Sequence, residues 1–218
     1  MPRVTTNFFD QEPLDLAQDL IGKVLRHRIE DPVHGWLWLS ARIIETEAYY
    51  LDEKGSHSSL GFTEKRRAMF MAPGTIYMYY ARGGDSLNFS AGGEGNGVLI
   101  KSGVVHIDRR SPARTVEVMQ TLNPVNGRLR DPRRLCSGQT LLCRSLGLKV
   151  PDWNQAQLRP SRFVLEDVGI VPEKLIQCRR LGIPAGRDEH LPYRFVDAAE
   201  AHRATRNPLR DEHRVISR

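Results

Sequence analysis

The chain has 218 residues and a net charge of +6, with arginine well in excess of lysine, and a pI near 9.5. That length suits one large domain or two small ones and buries roughly 70% of the unfolded surface, while the basic balance favours an anionic partner, nucleic acid first and an acidic membrane second. No stretch approaches the ~18 apolar residues of a membrane span, residues 1–7 lack the apolar segment of a secretory signal, and Cys136, Cys143 and Cys178 have neither even number nor Cys-x-x-Cys spacing, so no disulfide framework or zinc site is indicated. A cytoplasmic protein with reduced thiols is expected.

In chain order, Leu14, Leu16, Ala17, Leu20 and Ile21 fall at helical spacing and Gly22 stops the helix. Strands are predicted at 23–29 and 36–49, parted by the turn residues Asp31, Pro32, His34 and Gly35. A polar loop, 51–67, carries His57. Pro73 and Gly74 turn the chain into a strand at 75–81, Gly83, Gly84 and Asp85 reverse it, and 87–90 returns. A glycine-rich bend leads to a strand at 98–101. Arg114–Leu122 and Gln139–Leu146 read as helices, the second closed by Gly147. Further strands are predicted at 163–168 and 194–196. The order fits an α+β fold with mainly antiparallel pairing.

The second strand holds the chemistry. Its period-2 face carries Leu37, Leu39, Ala41 and Ile43, then Glu45, Glu47 and Tyr49. If the strand has no bulge, an apolar stripe runs directly into two acids, and desolvation with like charge should raise the proton affinity of at least one. A carboxylate in that position can act as a general base. Other candidates are individually weak. His57 sits in a polar loop, Tyr77 and Tyr79 share one strand face with Tyr80 on the other, Asn88 reads most simply as a turn or edge residue, and Arg66, Arg67 and Lys101 could be solvated charges. Their clustering, in a basic chain, favours a site.

The segments Glu45-Thr46-Glu47-Ala48-Tyr49, His57-Ser58 and Met69-Phe70-Met71-Ala72-Pro73-Gly74-Thr75 resemble the alkyladenine (methylpurine) DNA glycosylase family. The likeness starts at Phe8-Phe9-Asp10, passes through Asn88, Lys101 and Leu135-Cys136-Ser137-Gly138, and ends near Arg180-Leu181-Gly182-Ile183 and Arg194-Phe195-Val196. It implies a single α+β domain over 1–197 with a curved, mainly antiparallel sheet flanked by helices, a monomer without metal or other cofactor. The implied activity is that of a monofunctional DNA glycosylase in base excision repair. Such an enzyme flips an alkylated or deaminated purine from double-stranded DNA and hydrolyses its bond to deoxyribose, leaving an abasic site.

Carried over by position, Glu47 is the base that activates water, while Glu45 supports the strand. Tyr49, His57 and Tyr79 enclose the flipped base, and Asn88 opposes the amine of undamaged guanine. Lys101 stands where relatives have an arginine touching DNA. Relatives also fill the vacated gap with a tyrosine, absent here; Arg82 at the hairpin tip is the expected substitute, with Tyr80 the alternative. A lyase would need a lysine nucleophile in the pocket, and of the lysines only Lys54 and Lys65 flank His57. His57 is the one candidate for the acid that neutral lesions would require. The other readings are a non-catalytic binder of damaged DNA and a metal-dependent nuclease. Zinc deaminase chemistry lacks its His-x-Glu and Pro-Cys-x-x-Cys signatures. Beyond the resemblance, 198–218 repeats arginine at three- and four-residue spacing with hardly an apolar face, and reads as a basic, flexible tail.

Overall fold

The computed structural model describes residues 3–81 and 83–218. Arg82, the expected gap-filler, lies outside the described residues, as do Met1 and Pro2. Among those described, nine strands form one open sheet: β1 (Val24–Asp31), β2 (Gly35–Tyr49), β3 (Ile76–Ala81), β4 (Gly84–Ser90), β5 (Gly97–Val105), β6 (Phe163–Glu166), β7 (Lys174–Cys178), β8 (Arg194–Asp197) and β9 (His213–Ser217). Every strand pairing is antiparallel, in the order β3-β4-β5-β2-β8-β7-β9, with β1 bridging β2 and β6. The helices are α1 (Pro13–Leu20), α2 (Arg114–Leu122), α3 (Gln139–Leu146) and α4 (Val150–Trp153). This is the α+β architecture expected from the order of elements.

Periodicity explains how the layers meet. Leu16, Ala17 and Leu20 on one side of α1 are buried against the sheet, each leucine contributing roughly 1.5–3 kcal/mol. On α3, Leu142, Cys143 and Leu146 point inward, and Gly147 closes the helix in the left-handed conformation, φ 67°. Gly84 matters for a different reason: a Cβ there would lie 2.8 Å from the Cβ of Thr140, so only glycine lets the β3–β4 hairpin seat on the first turn of α3.

Strand β2 departs from simple alternation. Ile43 pairs with Gly103 and Glu45 with Ser102, so Ile44 is an extra residue on β2; Thr46 then pairs with Ile100, leaving Lys101 the extra residue on β5. Before this double bulge the odd residues Leu37, Leu39, Ala41 and Ile43 face the core. After it the even residues do: Ala48 joins the core and Thr46 donates its hydroxyl to Ala17 O on α1. The apolar stripe therefore does not run into the acids. One inserted residue exchanges the faces, and Glu45, Glu47 and Tyr49 emerge on the side away from α1.

The C-terminal segment also differs from a flexible tail. Ala198–Arg203 forms a 3-10 helix, Ala201 and Ala204 are buried, and β9 pairs with β7 along 174–178. Of the arginines that suggested a solvated face, Arg203 pairs with Glu200, Arg206 with Asp211 and Arg218 with Asp19, while Arg210 and Arg214 are exposed.

Candidate active site

The two acids of β2 have separate environments. Glu45 is fully buried and saturated with donors: Arg194 Nε reaches Oε1 at 2.7 Å, while Ser102 Oγ (2.5 Å), Thr205 N (2.9 Å) and Thr205 Oγ1 (3.0 Å) converge on Oε2. Arg194 in turn donates to Arg206 O at 2.7 Å. These four donors make Glu45 a tie between β2, β5, β8 and the C-terminal segment, and it does not line the pocket described below.

Glu47 is equally buried, but its partners are of another kind. Leu181 N donates to Oε1 at 3.0 Å, and Tyr49 OH (2.8 Å) and Lys101 Nζ (3.3 Å) share Oε2. Burial alone would push this carboxyl up, the direction expected from the sequence for at least one of the two acids; the Lys101 ammonium, the Leu181 N–H, the Tyr49 hydroxyl and the Arg194 charge outweigh it and hold Glu47 below its ordinary value. Glu47 is thus a carboxylate at neutral pH, able to accept a proton.

Tyr49, Lys101 and Leu181, the three partners of Glu47, all line one pocket of about 520 Å³. Tyr77 and Tyr79 stack on each other at 5.3 Å and 28°, and His57 meets Tyr79 edge-on at 4.5 Å. His57 Nδ1 lies 3.3 Å from Tyr77 OH. Burial, Arg66 and Arg187 all depress the His57 imidazole, which is therefore neutral at pH 7 and poorly suited to donate a proton. Burial keeps the tyrosine hydroxyls protonated: Tyr77 is pushed up to about 12, and Tyr49 is raised by burial and by Glu47 beside it. Asn88 is no edge residue. It sits within β4, buried, with Nδ2 donating to Tyr77 O at 3.0 Å and its side chain on the pocket wall.

The structure thus gathers Tyr49, His57, Tyr79 and Asn88 around one cavity, with Glu47 immediately behind it. Tyr80 lies at the rim, 67% exposed. Lys101, expected to touch DNA near the lesion, lines the same pocket. It is buried in the pocket, because the bulge on β5 turns it onto Glu47 and a buried ammonium needs an opposite charge.

Two contributors were not legible. Arg180 packs its guanidinium 4.5 Å from the Tyr49 ring and 5.3 Å from Tyr193, while Nη1 donates to Ala48 O at 2.9 Å and Glu53 Oε1 at 2.5 Å, tying the loop of His57 to β2. The next residue supplies the Leu181 N–H. Arg180-Leu181 belongs to a segment quoted for the resemblance, but a backbone donor leaves no mark in sequence.

A family model described as methylpurine-DNA glycosylase matches residues 7–201. Proteins carrying 3-methyladenine DNA glycosylase in their names are similar over nearly the whole chain. One from Pseudomonas aeruginosa is 63% identical, covering 93% of this chain and 83% of its own. One from Pseudomonas savastanoi pv. phaseolicola is 60% identical, covering 94% and 90%. A third, from Methanocella arvoryzae, is 32% identical over 90% and 93%. These matches define the class of protein: a DNA glycosylase. Within that class, the chain belongs to the methylpurine-DNA glycosylase family.

Proposed function

We propose that this enzyme rotates alkylated purines of the 3-methyladenine type out of double-stranded DNA and hydrolyses their N-glycosidic bond with a water activated by Glu47, leaving an abasic site. The observation that carries the reading is a buried, ionised carboxylate placed directly behind an aromatic pocket. A base inside the duplex cannot be reached, and extruding it costs a few kcal/mol, least where damage has weakened pairing. The faces of Tyr49 and Tyr79 recover part of that cost, at about 1–3 kcal/mol per stacked base, and more for a purine made cationic by alkylation. Such a purine is already a good leaving group. Chemistry then asks for a proton acceptor for water and a negative charge beside the developing oxocarbenium ion, and Glu47 supplies both.

Tyr49 and Leu181 N–H orient the carboxylate, and Asn88 bounds the pocket where an exocyclic amine would project. Among the described pocket residues, His57 is neutral and the Lys101 ammonium is engaged by Glu47, so neither is a ready proton donor to a leaving base. That supports alkylated purines as substrates ahead of deaminated ones. The enzyme works on DNA in the cytoplasm as a monomer under this reading.

Glu47→Gln tests it. The substitution keeps shape and removes the base, so single-turnover excision of a defined 3-methyladenine-type lesion should fall about 10²–10⁴-fold, with lesion-duplex binding nearly intact. A variant excising at the wild-type rate would disprove the mechanism. Binding without excision by the wild-type protein would instead mark a non-catalytic binder.

A further inference from the structure

We infer that Arg66 and Arg187 form a clamp at the mouth of the pocket for the DNA phosphates that flank the extruded nucleotide. The inference rests on the reading of this pocket as the seat of a flipped purine. Lys101 keeps its ammonium on Glu47 inside the cavity, so a strand passing the mouth meets other cations first. Arg187 is exposed and belongs to the pocket wall, and its Nε and Nη2 both donate to Lys54 O, at 2.8 and 2.5 Å. Arg66, half-buried, donates through Nη1 to Leu60 O at 3.3 Å and to Gly61 O at 3.0 Å, and Leu60 is part of the same wall. Lys54 and Leu60 lie three residues to either side of His57 in one loop. The two guanidinium groups are thus fastened to that loop on both flanks of a pocket residue, and their charges both act on its imidazole.

Among the described residues, neither arginine has a carboxylate to answer it. The acids beside them in sequence are engaged elsewhere, Glu64 with Arg67 and Asp188 with Lys54 N. Arg26, Arg42, Arg180 and Arg194, by contrast, each meet one or two carboxylates. Two cations held near each other without counter-charge repel, and an anion between them removes that cost. Each guanidinium spends two of its five N–H donors on carbonyl oxygens, which leaves three, in a plane that matches the oxygens of a phosphodiester. The carbonyl bonds hold each fork in place before DNA arrives, so little side-chain freedom is lost on binding. An extruded nucleotide brings its own phosphates to the cavity that takes its base. Phosphate contacts hold register without reading sequence, as a lesion that arises in any sequence requires.

The experiment uses full-length protein and a duplex carrying one tetrahydrofuran abasic analogue, so that base excision is not required. Binding is followed by fluorescence anisotropy over a series of salt concentrations. Arg66→Gln and Arg187→Gln should each make the slope of log K against log salt shallower by about 0.9, one phosphate contact apiece, while Arg187→Lys, which keeps the charge, should retain the wild-type slope. An uncharged methylphosphonate in place of a flanking phosphate should weaken wild-type binding about tenfold, with little further loss in the variant whose arginine meets that phosphate. Thermal midpoints confirm that the variants are folded; if Arg66→Gln loosens its loop, Arg187→Gln carries the test alone. Unchanged slopes, or methylphosphonate losses that add in full to those of both variants, would overturn the proposal. Failure of the glycosylase reading appears in a different assay, as absent release of alkylated purines by the wild-type protein.

Discussion

Changing Glu45 to glutamine is the most informative perturbation of the support beneath the site. The carboxylate accepts four hydrogen bonds, from Arg194, Ser102 and the two Thr205 donors. An amide has one oxygen. If that oxygen turns to Arg194, the NH₂ faces Ser102 and Thr205 N; if it turns the other way, the NH₂ faces the guanidinium. Both orientations set donor against donor. Arg194 is 1% exposed and loses its counter-charge, and removing one partner of a buried pair costs about 3–5 kcal/mol. For a chain of this length each kcal/mol lowers the thermal midpoint by roughly 2–4 °C, so a drop of about 6–12 °C follows at the lower end of that range. Differential scanning calorimetry measures it, beside single-turnover excision at a temperature where the variant is folded. Excision should fall far less than in Glu47→Gln. A midpoint within about 2 °C of wild type would refute the view that Glu45 anchors the sheet, at the scale of roughly 1 kcal/mol or less.

Lys101→Met removes the strongest influence holding Glu47 below its ordinary value, leaving burial to raise the carboxyl. With Glu47 as the proposed base, which works ionised, the wild-type rate should fall as pH drops through its pKa, and the variant should begin that fall at a higher pH; an acid limb in the same place would show that Lys101 does not set the charge. Deleting 198–218 removes Thr205, Arg206 and β9 together, so the truncated protein should lose stability as well as the DNA affinity contributed by five arginines against three acids. Urea unfolding checks this, and an unchanged midpoint would contradict the packing described. Burial pushes the Cys136 thiol up to about 12 and raises Cys143 and Cys178 as well; native protein should therefore resist thiol reagents that react at once after denaturation, and one fast-reacting thiol in the native state would count against these environments.

Most of the sheet was readable from sequence because its strands alternate and its turns carry glycine and proline. What escaped were features set by neighbours. The double bulge at Ile44 and Lys101 leaves no signature in β2, where the alternation of residues looks unbroken, yet it decides which face the acids occupy. The lowering of Glu47 was hidden for the same reason, since burial could be foreseen but Lys101 and the Leu181 N–H arrive from 54 and 134 residues away. Strand β7 is a short run, Lys174–Cys178, and β9 is mostly exposed and polar, so both depend on pairing with each other more than on pattern. The aromatic pair Tyr77 and Tyr79 was legible because strand geometry alone puts them side by side.

The bond between Thr205 and Glu45 spans 160 residues of chain. During synthesis β2 emerges early, and its buried acid must wait for nearly the whole chain before its last donors exist. Contacts so distant in sequence form late and slowly. The strand that bears Glu47 therefore acquires its final rigidity near the end of folding. A half-made chain carries the same two glutamates without the frame that fixes them.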